Sequence, residues 1–484
     1  MNIHKSYRIF LALICLTLAL VLTVGNVNAS PTQQAETDFA AIDAYVNEQM
    51  NNLGIPGMAL GIVQNGQIAH MQGFGVADSS GRAVTPQTPF RIGSLTKAFT
   101  ALAVMQLVES GKIDLDAPVQ TYLPWFELAD KEAAATITVR NLLNQTSGMS
   151  TKDGNRFWRS QEGLEATIRG LSTIQLTQPV GTTYQYCNIN FMIAGLIIEK
   201  VSGQPYADYM AQNIFAPLDM HKTYTSPTLA KAGGLSEGHI YMFGHVFINE
   251  GPMPPANLPA GTLMVSVEDM AHYTIAQLNG GNYGDKSVLS PQGIDNLHTP
   301  AIPTRGDEYY AMGWNVGKLE GNPYFSHSGD DGRFHSVIFL QPEQGSGIIL
   351  LANATGFTKS DPIDQIARGV VFMLNGQPAE SVAAPFLAVL LYWLTLLTPL
   401  LMLLGIPFIW RRFDRLNVWG AVITLAVYLG LVIMLFQLAL QIITLSSMLV
   451  FYPDIGYALV ATAAIGIGWS VICSGMYLRK RLVK

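Results

Sequence analysis

Three long apolar stretches near the C-terminus constrain the architecture of this 484-residue chain more than any other feature of its sequence. The first is "PFLAVLLYWLTLLTPLLMLLGIPFIW" (385–410), the second covers about 418–445, and the third covers about 456–478. Each is longer than the roughly 20 apolar residues that an α-helix needs to cross the hydrocarbon core of a bilayer. The sequence therefore predicts a transmembrane domain of three helices over 385–484; a buried bundle of soluble helices is the alternative.

Basic residues beside these stretches predict the orientation of the chain. "RRFDR" (411–415) lies between the first and second stretches, and "RKRLVK" (479–484) follows the third. The positive-inside rule places both basic segments, and with them the C-terminus, in the cytoplasm. Residues 30–384 and the short loop 446–456 are then predicted to lie outside the cytoplasm, in a periplasm or at the cell surface.

The first 29 residues indicate a secretory signal peptide. Lys5 and Arg8 precede the apolar run "IFLALICLTLALVLTV", and "VNA" before Ser30 is a small-residue cleavage site. An uncleaved signal anchor is the alternative. Export of the following residues agrees with the orientation predicted from the C-terminal basic segments.

The charge of the intervening body argues against one class of partner. Residues 30–384 hold 19 of the 28 basic and 32 of the 34 acidic residues, a formal net charge of −13. Nucleic-acid binding needs basic surface to neutralise phosphate, so we expect no nucleic-acid partner. The chain has only three cysteines, Cys15, Cys187 and Cys473, so we expect no intramolecular disulfide framework in an exported body.

Apolar patterns predict both strands and helices in this body. Residues 55–78 indicate two short strands around the turn Asn65–Gly66, and 335–354 indicate a hairpin of core strands. Helical spacing runs over about 94–109 and 191–203, with a glycine at or just after the end of each run. Strands at both ends with helices between them predict an α+β domain whose two ends share one sheet.

The start of the first helical run carries a chemical signal in "RIGSLTK" (91–97). Ser94 lies at or near the helix N-terminus, where free N–H groups and the positive end of the helix dipole favour developing negative charge. Lys97 lies one turn further on, so its amine can approach the hydroxyl, lose its proton and act as a base. Taken alone, the pattern favours the plainer interpretation of a serine that caps the helix.

Two further segments change that interpretation. Tyr186-Cys187-Asn188 precedes the second helical run, and His327-Ser328-Gly329 enters the late hairpin. With Ser94 and Lys97 they resemble the three signature elements, S-x-x-K, Y-x-N and K-T-G or H-x-G, of the serine β-lactamase and penicillin-binding protein superfamily. The resemblance is to its class C-like branch, which also contains D-alanyl carboxypeptidases, D-aminopeptidases and esterases. "ITVRNLLNQTSGM" (137–149) and "LPAGTLMVSVEDMAHY" (258–273) are similar to two more segments of that branch, so the resemblance covers about 36–375.

This resemblance implies a specific α+β architecture. An antiparallel sheet flanked by helices, with a helical subdomain beside it, is the fold of β-lactamases and transpeptidases. We expect a signal peptide at 1–29, a hydrolase domain at 30–378, a linker at 379–384 and the three-helix transmembrane domain at 385–484.

The resemblance also implies catalytic roles for three residues. Ser94 would be the nucleophile that forms an acyl-enzyme, and Lys97 would help to remove its proton. Tyr186 would be a second proton carrier, with phenolate character because it lies near the lysine ammonium. Tyr184, two residues earlier, would face the same side of a strand and is an alternative base.

Further residues would bind the substrate. Asn188 would hydrogen-bond the lysine or the substrate amide, and His327 would polarise the site or contact a substrate carboxylate. The N–H groups of Ser94 and of Asp330, which follows Gly329, would form an oxyanion hole. We expect no metal site and no cofactor.

Two features bear on substrate choice. Asp330 and Asp331 make the segment after His327 more acidic than is usual in the family, which predicts a neutral or cationic acyl group. Phe157 and Trp158 lie between the first two motifs, where we expect a lid that selects the substrate.

These features together predict a membrane-tethered serine hydrolase with its active site outside the cytoplasm. A D-amino-acid peptidase or amidase is the leading hypothesis, because exported S-x-x-K enzymes with three C-terminal spans resemble periplasmic peptidases that remove an acyl-D-amino-acid cap from nonribosomal prodrugs. An esterase and a D-alanyl-D-alanine carboxypeptidase or penicillin-binding protein are alternatives. A receptor that binds penicillin or wall peptides without turnover is an alternative of another class. The expected partners are a small acylated peptide or ester and membrane lipid, and homo-oligomerisation through the transmembrane helices is left open.

Overall fold

The computed structural model describes residues 37–158, 160–412, 430, 433 and 444–482. The predicted signal peptide (1–29) and nearly all of the second apolar stretch (418–445) lie outside the described residues. Both predictions therefore rest on the sequence alone.

The described part of the chain is built around one antiparallel sheet of eight strands. In chain order these strands are β1 (Gly57–Gln64), β2 (Gln67–Gly75), β3 (Ile302–Arg305), β4 (Glu308–Ala311), β5 (Trp314–Leu319), β6 (Asn322–Asp330), β7 (His335–Gln341) and β8 (Ser346–Ala352). Across the sheet they lie in the order β3-β4-β5-β6-β7-β8-β1-β2. Since β1 pairs with β8, both ends of the domain share one sheet, as predicted.

Hairpins set the register at the centre of this sheet. β1 and β2 are joined at Asn65 and Gly66, whose φ values of 52° and 72° are those that a type I′ hairpin turn requires. β7 and β8 form the predicted late hairpin, in which Ile338 pairs with Ile349. Nearly every residue of β1, β7 and β8 is buried, so both faces of the central sheet must be covered.

Helices provide that cover. The longer ones are α1 (Phe39–Leu53), α2 (Thr96–Glu109), α3 (Asn188–Ser202), α4 (Val267–Leu278) and α5 (Ser360–Leu374). Shorter helices span Lys131–Thr136, Val139–Leu143, Thr151–Phe157, Leu164–Arg169, Tyr206–Met210, Pro227–Ala232, Leu258–Gly261 and Pro291–His298. α4 packs against β1 and β8, and α5 packs against β7 and β8. Three of the short helices between α2 and α3 pack on α3 and form a helical layer beside the sheet.

Three smaller sheets complete the described strands. One joins His239–Met242, His245–Ile248 and Ala354–Thr355, and another joins Phe90–Arg91, Thr223–Tyr224 and Met264–Val265. The last is the two-stranded pair Asn282–Tyr283 and Lys286–Ser287. The Phe90–Arg91 strand matters most for function, because it leads directly to Ser94.

α2 lies in the middle of the core. Its side chains from Thr96 to Met105 are all buried, so this part of the helix is enclosed on every side. It packs on α3 and on the short helix Leu258–Gly261. Phe99 stacks on Tyr273 of α4 with ring centroids 3.9 Å apart. This packing fixes the position of the groups at the N-terminus of α2.

Two of the three predicted membrane stretches are observed as helices. The C-terminal helices are α6 (Phe386–Arg412), α7 (Leu445–Phe451) and α8 (Pro453–Leu482). Among the described residues, α6 and α8 are long and apolar enough to cross a membrane, over Phe386–Pro407 and Pro453–Gly475. They pack against each other, and the Tyr392 hydroxyl donates to Asp454 Oδ2 at 2.5 Å where α8 begins. Residues 378–385, which include the predicted linker, have no regular secondary structure.

The predicted loop 446–456 is not a loop. It forms most of α7, a bend at Tyr452 and the first turn of α8. The hydroxyl of Thr444 caps α7 by accepting from the backbone N–H of Ser447 at 3.2 Å. Pro453 starts α8 at a position where the missing N–H of proline leaves no helix hydrogen bond unmade. The loop prediction was wrong because it did not use these two helix start signals, at Thr444 and Pro453.

Candidate active site

Ser94 lies in a single 3₁₀ turn, Gly93–Leu95, that leads directly into α2. Its hydroxyl does not cap the helix, because no side chain makes a capping hydrogen bond there. Its Oγ instead lies 3.0 Å from Lys97 Nζ and 2.5 Å from the Tyr186 hydroxyl. The plainer interpretation of a helix cap is therefore wrong, and the serine oxygen is surrounded by groups that can take or give a proton.

Lys97 is fully buried although its side chain ends in an ionisable amine. Besides Ser94, its Nζ donates to Asn188 Oδ1 at 2.7 Å and to the backbone oxygen of Ala260 at 2.6 Å. The nitrogen also lies 4.7 Å from the centroid of the Tyr186 ring. These contacts hold the amine in one direction, toward the serine oxygen.

Tyr186 lies two residues before Asn188, which is the first residue of α3. Cys187 between them is extended, with φ −145° and ψ 121°, which suits two side chains that turn to the same side. The backbone N–H of Cys187 and the side-chain amide of Asn190 both donate to Gln145 Oε1, at 2.9 and 2.6 Å. Gln145 belongs to the "NQTSG" segment, so this segment holds the tyrosine motif in place at the start of α3.

Burial sets the protonation of the two groups that contact Ser94. It lowers the pKa of Lys97 well below the usual 10.5 and raises the pKa of Tyr186 above the usual 10.0. The expectation of phenolate character at Tyr186 is therefore wrong: burial favours a neutral amine that can accept a proton and a neutral phenol that can donate one. Tyr184, the alternative base, packs its ring against Tyr310, with centroids 5.2 Å apart.

The end of β6 approaches Ser94 closely because two glycines allow it. β5 does not pair with the last residues of β6, which leaves that edge beside the turn that carries the serine. A Cβ on Gly93 would lie 2.7 Å from the backbone nitrogen of Asp330, and a Cβ on Gly329 would lie 1.9 Å from the backbone oxygen of Ile92. Only glycine fits at either position, and the backbone of Asp330 therefore stays next to that of the serine turn.

His327 is a buried and neutral ring in β6. Its Nδ1 lies 2.6 Å from the backbone oxygen of Ser328, and its Nε2 lies 3.4 Å from the hydroxyl of Tyr310. Burial and the nearby Lys97 lower the pKa of His327 to about 3. An uncharged imidazole has no positive charge with which to bind a substrate carboxylate, one of the two roles predicted for it.

Asp331 carries a charge that is compensated inside the protein. Its Oδ2 lies 2.5 Å from Arg91 Nε, and both side chains are only 2% exposed. The guanidinium also donates to the backbone oxygens of Glu250 and Pro252, at 2.5 and 3.1 Å. Arg91 is thus a structural ion-pair partner and does not act as a free cation at the rim of the site.

Asp330 is compensated as well. Its Oδ2 accepts from the hydroxyls of Thr355 and Ser360, at 2.7 and 2.5 Å, and lies 3.7 Å from His335 Nδ1. The other ring nitrogen of His335 lies 2.8 Å from Asp364 Oδ1. Burial alone would lower the pKa of His335, but Asp364 and Asp330 outweigh it and raise that pKa to about 10. The charges of both aspartates are therefore compensated within the protein, while the predicted preference for a neutral or cationic acyl group stays a prediction.

A cleft of about 580 Å³, counting its open mouth, lies in front of Ser94. Its lining includes three asparagines and four aromatic residues, namely Asn155, Asn188, Asn257, Trp158, Tyr186, Phe451 and Tyr452. Trp158 is only 4% exposed, so the predicted lid residue forms part of the cleft wall. Phe451 and Tyr452 were missed by the sequence analysis, because they belong to the segment predicted to be a loop between two membrane spans.

Asn257 is a second residue that the sequence analysis missed. It is 1% exposed and lines the cleft, yet neither its Oδ1 nor its Nδ2 has a hydrogen-bond partner among the described residues. An unsatisfied buried polar group costs about 1–3 kcal/mol, so a bound molecule that pairs with this amide would remove that cost. Its signal in the sequence was its place just before the "LPAG" segment (258–261), whose Ala260 supplies the carbonyl that holds Lys97.

Sequence comparison identifies relatives over most of the chain. A family model described as beta-lactamase matches residues 42–371. Protein flp of Staphylococcus aureus (strain MW2) is 30% identical over 316 residues, 64% of this chain and 62% of that protein. The unguisins hydrolase ungD' of Aspergillus campestris is 29% identical over 341 residues, 66% of this chain and 62% of that protein. The chain thus spans less than two thirds of the length of these relatives.

A solved structure shows a similar fold. The octameric penicillin-binding protein homologue from Pyrococcus abyssi superimposes with a TM-score of 0.63 at 26% sequence identity, covering 72% of this chain and 79% of that one. The family match includes the three motifs around Ser94 and stops before α6. The chain therefore belongs to the beta-lactamase family, with the α+β fold shared by penicillin-binding proteins, and the members of this family are typically serine hydrolases.

Proposed function

We propose that this chain is a membrane-anchored serine hydrolase that cleaves an acylated D-amino-acid amide or peptide through an acyl-enzyme on Ser94. The observation that carries the proposal is the position of the serine oxygen between the Lys97 amine and the Tyr186 hydroxyl. A nucleophile within hydrogen-bond reach of a base, which is itself held by a third group, is the arrangement of an activated serine. The third group here is Asn188, which accepts from the lysine.

In the acylation step, Lys97 acts as the general base. Its neutral amine takes the proton of Ser94 while the serine oxygen attacks the carbonyl carbon, and a C–O bond forms. Collapse of the tetrahedral intermediate then breaks the C–N bond of an amide, or the C–O bond of an ester. Burial keeps the phenol of Tyr186 protonated, so Tyr186 can donate its proton to the leaving group. It then takes back a proton from the Lys97 ammonium.

The oxyanion of the tetrahedral intermediate needs preorganised N–H donors. We assign this role to the backbone N–H groups of Ser94 and Asp330, supported by the close approach that Gly93 and Gly329 permit between the serine turn and the end of β6. In the second step a water molecule attacks the acyl carbonyl carbon, Lys97 accepts its proton, and the serine oxygen leaves with a proton to restore the free enzyme.

An uncharged substrate fits the electrostatics of the site. His327 is neutral, and Asp330 and Asp331 are compensated within the protein. The side-chain amide of Asn257, which has no partner in the part of the chain that the structure describes, offers one donor group and one acceptor, which match a substrate amide. These features favour an acyl-amino-acid amide over a β-lactam or the free carboxylate of a D-alanyl-D-alanine peptide.

The D-configuration and the class C-like branch rest on the sequence resemblance. The name of the relative from Aspergillus campestris supports hydrolysis as the reaction class, since that protein is called an unguisins hydrolase. An esterase is the second candidate, because the same proton transfers would cleave an ester.

Membrane anchoring is supported by α6 and α8, which are long and apolar enough to span a bilayer. We propose that the stretch 418–445 supplies a third span, with 30–378 as the catalytic domain outside the cytoplasm and 379–384 as a linker. A cleaved signal peptide at 1–29 and cytoplasmic basic segments after the first and third spans complete this topology.

Covalent labelling of the intact protein in detergent tests the proposed function. A fluorescent fluorophosphonate should label the wild type and the matched control Ser110→Ala, at the other end of α2, but not Ser94→Ala. Any label that a fluorescent penicillin leaves on Ser94 should then be released by hydrolysis. A penicillin adduct that never leaves would support the receptor alternative, and no labelling of the wild type by either reagent would overturn both serine-based functions.

A further inference from the structure

The segment immediately before α8 also forms one wall of the catalytic cleft. α7 and the bend that follows it lie immediately before α8, yet Phe451 and Tyr452 line the same cleft as Ser94. The remaining cleft residues come from the hydrolase domain. The cleft is therefore shared between the hydrolase domain and the segment that leads into α8.

Polar contacts hold α7 against the hydrolase domain. The guanidinium of Arg333 donates from Nη1 to the backbone oxygen of Val450 at 2.6 Å, and from Nε to Asn249 Oδ1 at 2.8 Å. The carbonyl of Val450 lies in the last turn of α7, where it has no partner within the helix. At the other end of α7, the Ser447 hydroxyl donates to the backbone oxygen of Asn155 at 3.3 Å, and Asn155 itself lines the cleft.

The opposite side of α7 packs on the membrane helices. Met448 is 6% exposed and lies in one apolar cluster with Tyr392 and Leu396 of α6 and Leu459 of α8. Tyr452 packs against the same cluster. A displacement of α6 or α8 would therefore move the side chains that line the cleft.

The cleft-facing surface of this segment is aromatic. The rings of Phe451 and Trp158 have centroids 5.0 Å apart, and Tyr452 meets Phe357 edge to face at 5.6 Å. Phe451 also lies against Gly332, where a Cβ would come within 3.0 Å of the backbone of Phe451. Phe451 and Trp158 thus give the cleft one apolar wall, while Asn155, Asn188 and Asn257 give it polar groups elsewhere.

We propose that Phe451 and Tyr452 are specificity-determining residues, which pack against an apolar group attached to the acyl carbonyl of the substrate. The proposal rests on the proposed function, because it assigns part of the Ser94 cleft. Aromatic side chains bury large apolar areas and offer little to a charged or strongly polar group. The membrane domain is then part of the substrate site as well as its anchor, and a hydrolase domain separated from α7 would lose this selectivity.

Alkyl fluorophosphonates that differ only in chain length test this proposal without knowledge of the natural substrate. The full-length protein in detergent is treated with ethyl and decyl reagents, and the second-order rate constant for modification of Ser94 is measured by mass spectrometry. The variants are Phe451→Ala and Tyr452→Ala, with Leu449→Ala as the matched control. Leu449 lies on the same helix and meets Gly456 of α8 instead of the cleft.

The wild type and the Leu449→Ala control should react faster with the decyl reagent than with the ethyl reagent. Each aromatic variant should lose about tenfold or more of that preference, because its rate with the decyl reagent should fall further than its rate with the ethyl reagent. An unchanged preference in both variants would overturn the proposal. A faster reaction of both variants with both reagents would also overturn the proposal, because Phe451 and Tyr452 would then obstruct access to Ser94 and would not bind the substrate. No modification of Ser94 in the wild type by either reagent would instead show that the proposed function has failed.

Discussion

Lys97 donates from its Nζ to Asn188 Oδ1 at 2.7 Å, so the first residue of α3 holds the base that projects from α2. The two helices pack directly on each other in the core. Because of this packing, the distance between the lysine amine and the serine oxygen depends on how two buried helices fit together. The chemistry of the site is thus tied to the rigidity of the core.

The pH dependence of turnover should report the lowered pKa of Lys97. Burial favours the neutral amine and therefore extends the activity of the base to lower pH than an exposed lysine would allow. We expect kcat/KM to fall as the pH drops through this lowered pKa. The midpoint of this fall, the acid limb of the pH profile, should lie well below pH 10.5. Lys97→Arg should abolish activity, because a guanidinium does not lose its proton at accessible pH. An acid limb near 10.5, or substantial activity in the arginine variant, would mean that another group is the base.

Tyr186→Phe should distinguish the contribution of the Tyr186 hydroxyl to catalysis from that of its ring. The ring that lies 4.7 Å from the Lys97 nitrogen remains, while the hydroxyl that contacts Ser94 is lost. We expect kcat to fall by about 10²–10⁴-fold, the usual scale of a proton-transfer group, with an unchanged melting temperature. Tyr184→Phe is the matched control and should keep most of the activity. Equal losses in the two variants would remove the basis for assigning the proton donor to Tyr186.

Two substitutions of Asn188 should move the acid limb in opposite directions. Asn188→Asp places a carboxylate beside the lysine, stabilises its ammonium and raises its pKa, so the limb should move to higher pH. Asn188→Ala removes an acceptor that favours the ammonium, so the limb should move to lower pH while kcat falls by about tenfold or more. A full pH profile of kcat/KM for both variants measures this. Shifts in the same direction would contradict a direct contact between Asn188 and the base.

The sequence predicted the elements of this site that depend on local patterns. Ser94 and Lys97 are one helical turn apart, and Tyr186 and Asn188 lie two residues apart before a helix, so short motifs specify both pairs. The carbonyl of Ala260 could not be found in this way, because a backbone oxygen carries no residue-type signal.

Long-range packing explains the other omissions. Phe451 and Tyr452 approach Ser94 only because α7 docks on the hydrolase domain. The sequence around them has no pattern that distinguishes it from other apolar segments between two membrane spans. The central sheet was easier to predict, since the "NG" turn and the late hairpin are local features. The compensation of Asp331 by Arg91 was not predicted, because the two residues are distant in the chain and meet only in the fold.

The stability of the hydrolase domain should fall in alkali because of His335. Its pKa is raised to about 10 in the folded state by Asp364 and Asp330, which outweigh burial. Since the folded value lies above the unfolded value of 6.5, the stabilisation is complete below about pH 6.5 and is lost as the pH rises through about 10. The melting temperature of His335→Gln should therefore lie below that of the wild type at about pH 6, and the difference should shrink at about pH 10.

His245→Gln, at an exposed histidine, is the matched control for this measurement. It should show little difference from the wild type at either pH. A deficit in His335→Gln that is the same at both pH values would contradict a charged His335 in the folded protein.

Detection of the acyl-enzyme tests the central claim most directly. The full-length protein is mixed with p-nitrophenyl octanoate, quenched during turnover, digested and analysed by mass spectrometry. We predict one octanoyl group on the peptide that contains Ser94, which disappears as the ester is consumed and is absent from Ser94→Ala. Turnover that persists in Ser94→Ala, or an octanoyl group found during turnover on a residue other than Ser94, would contradict the account.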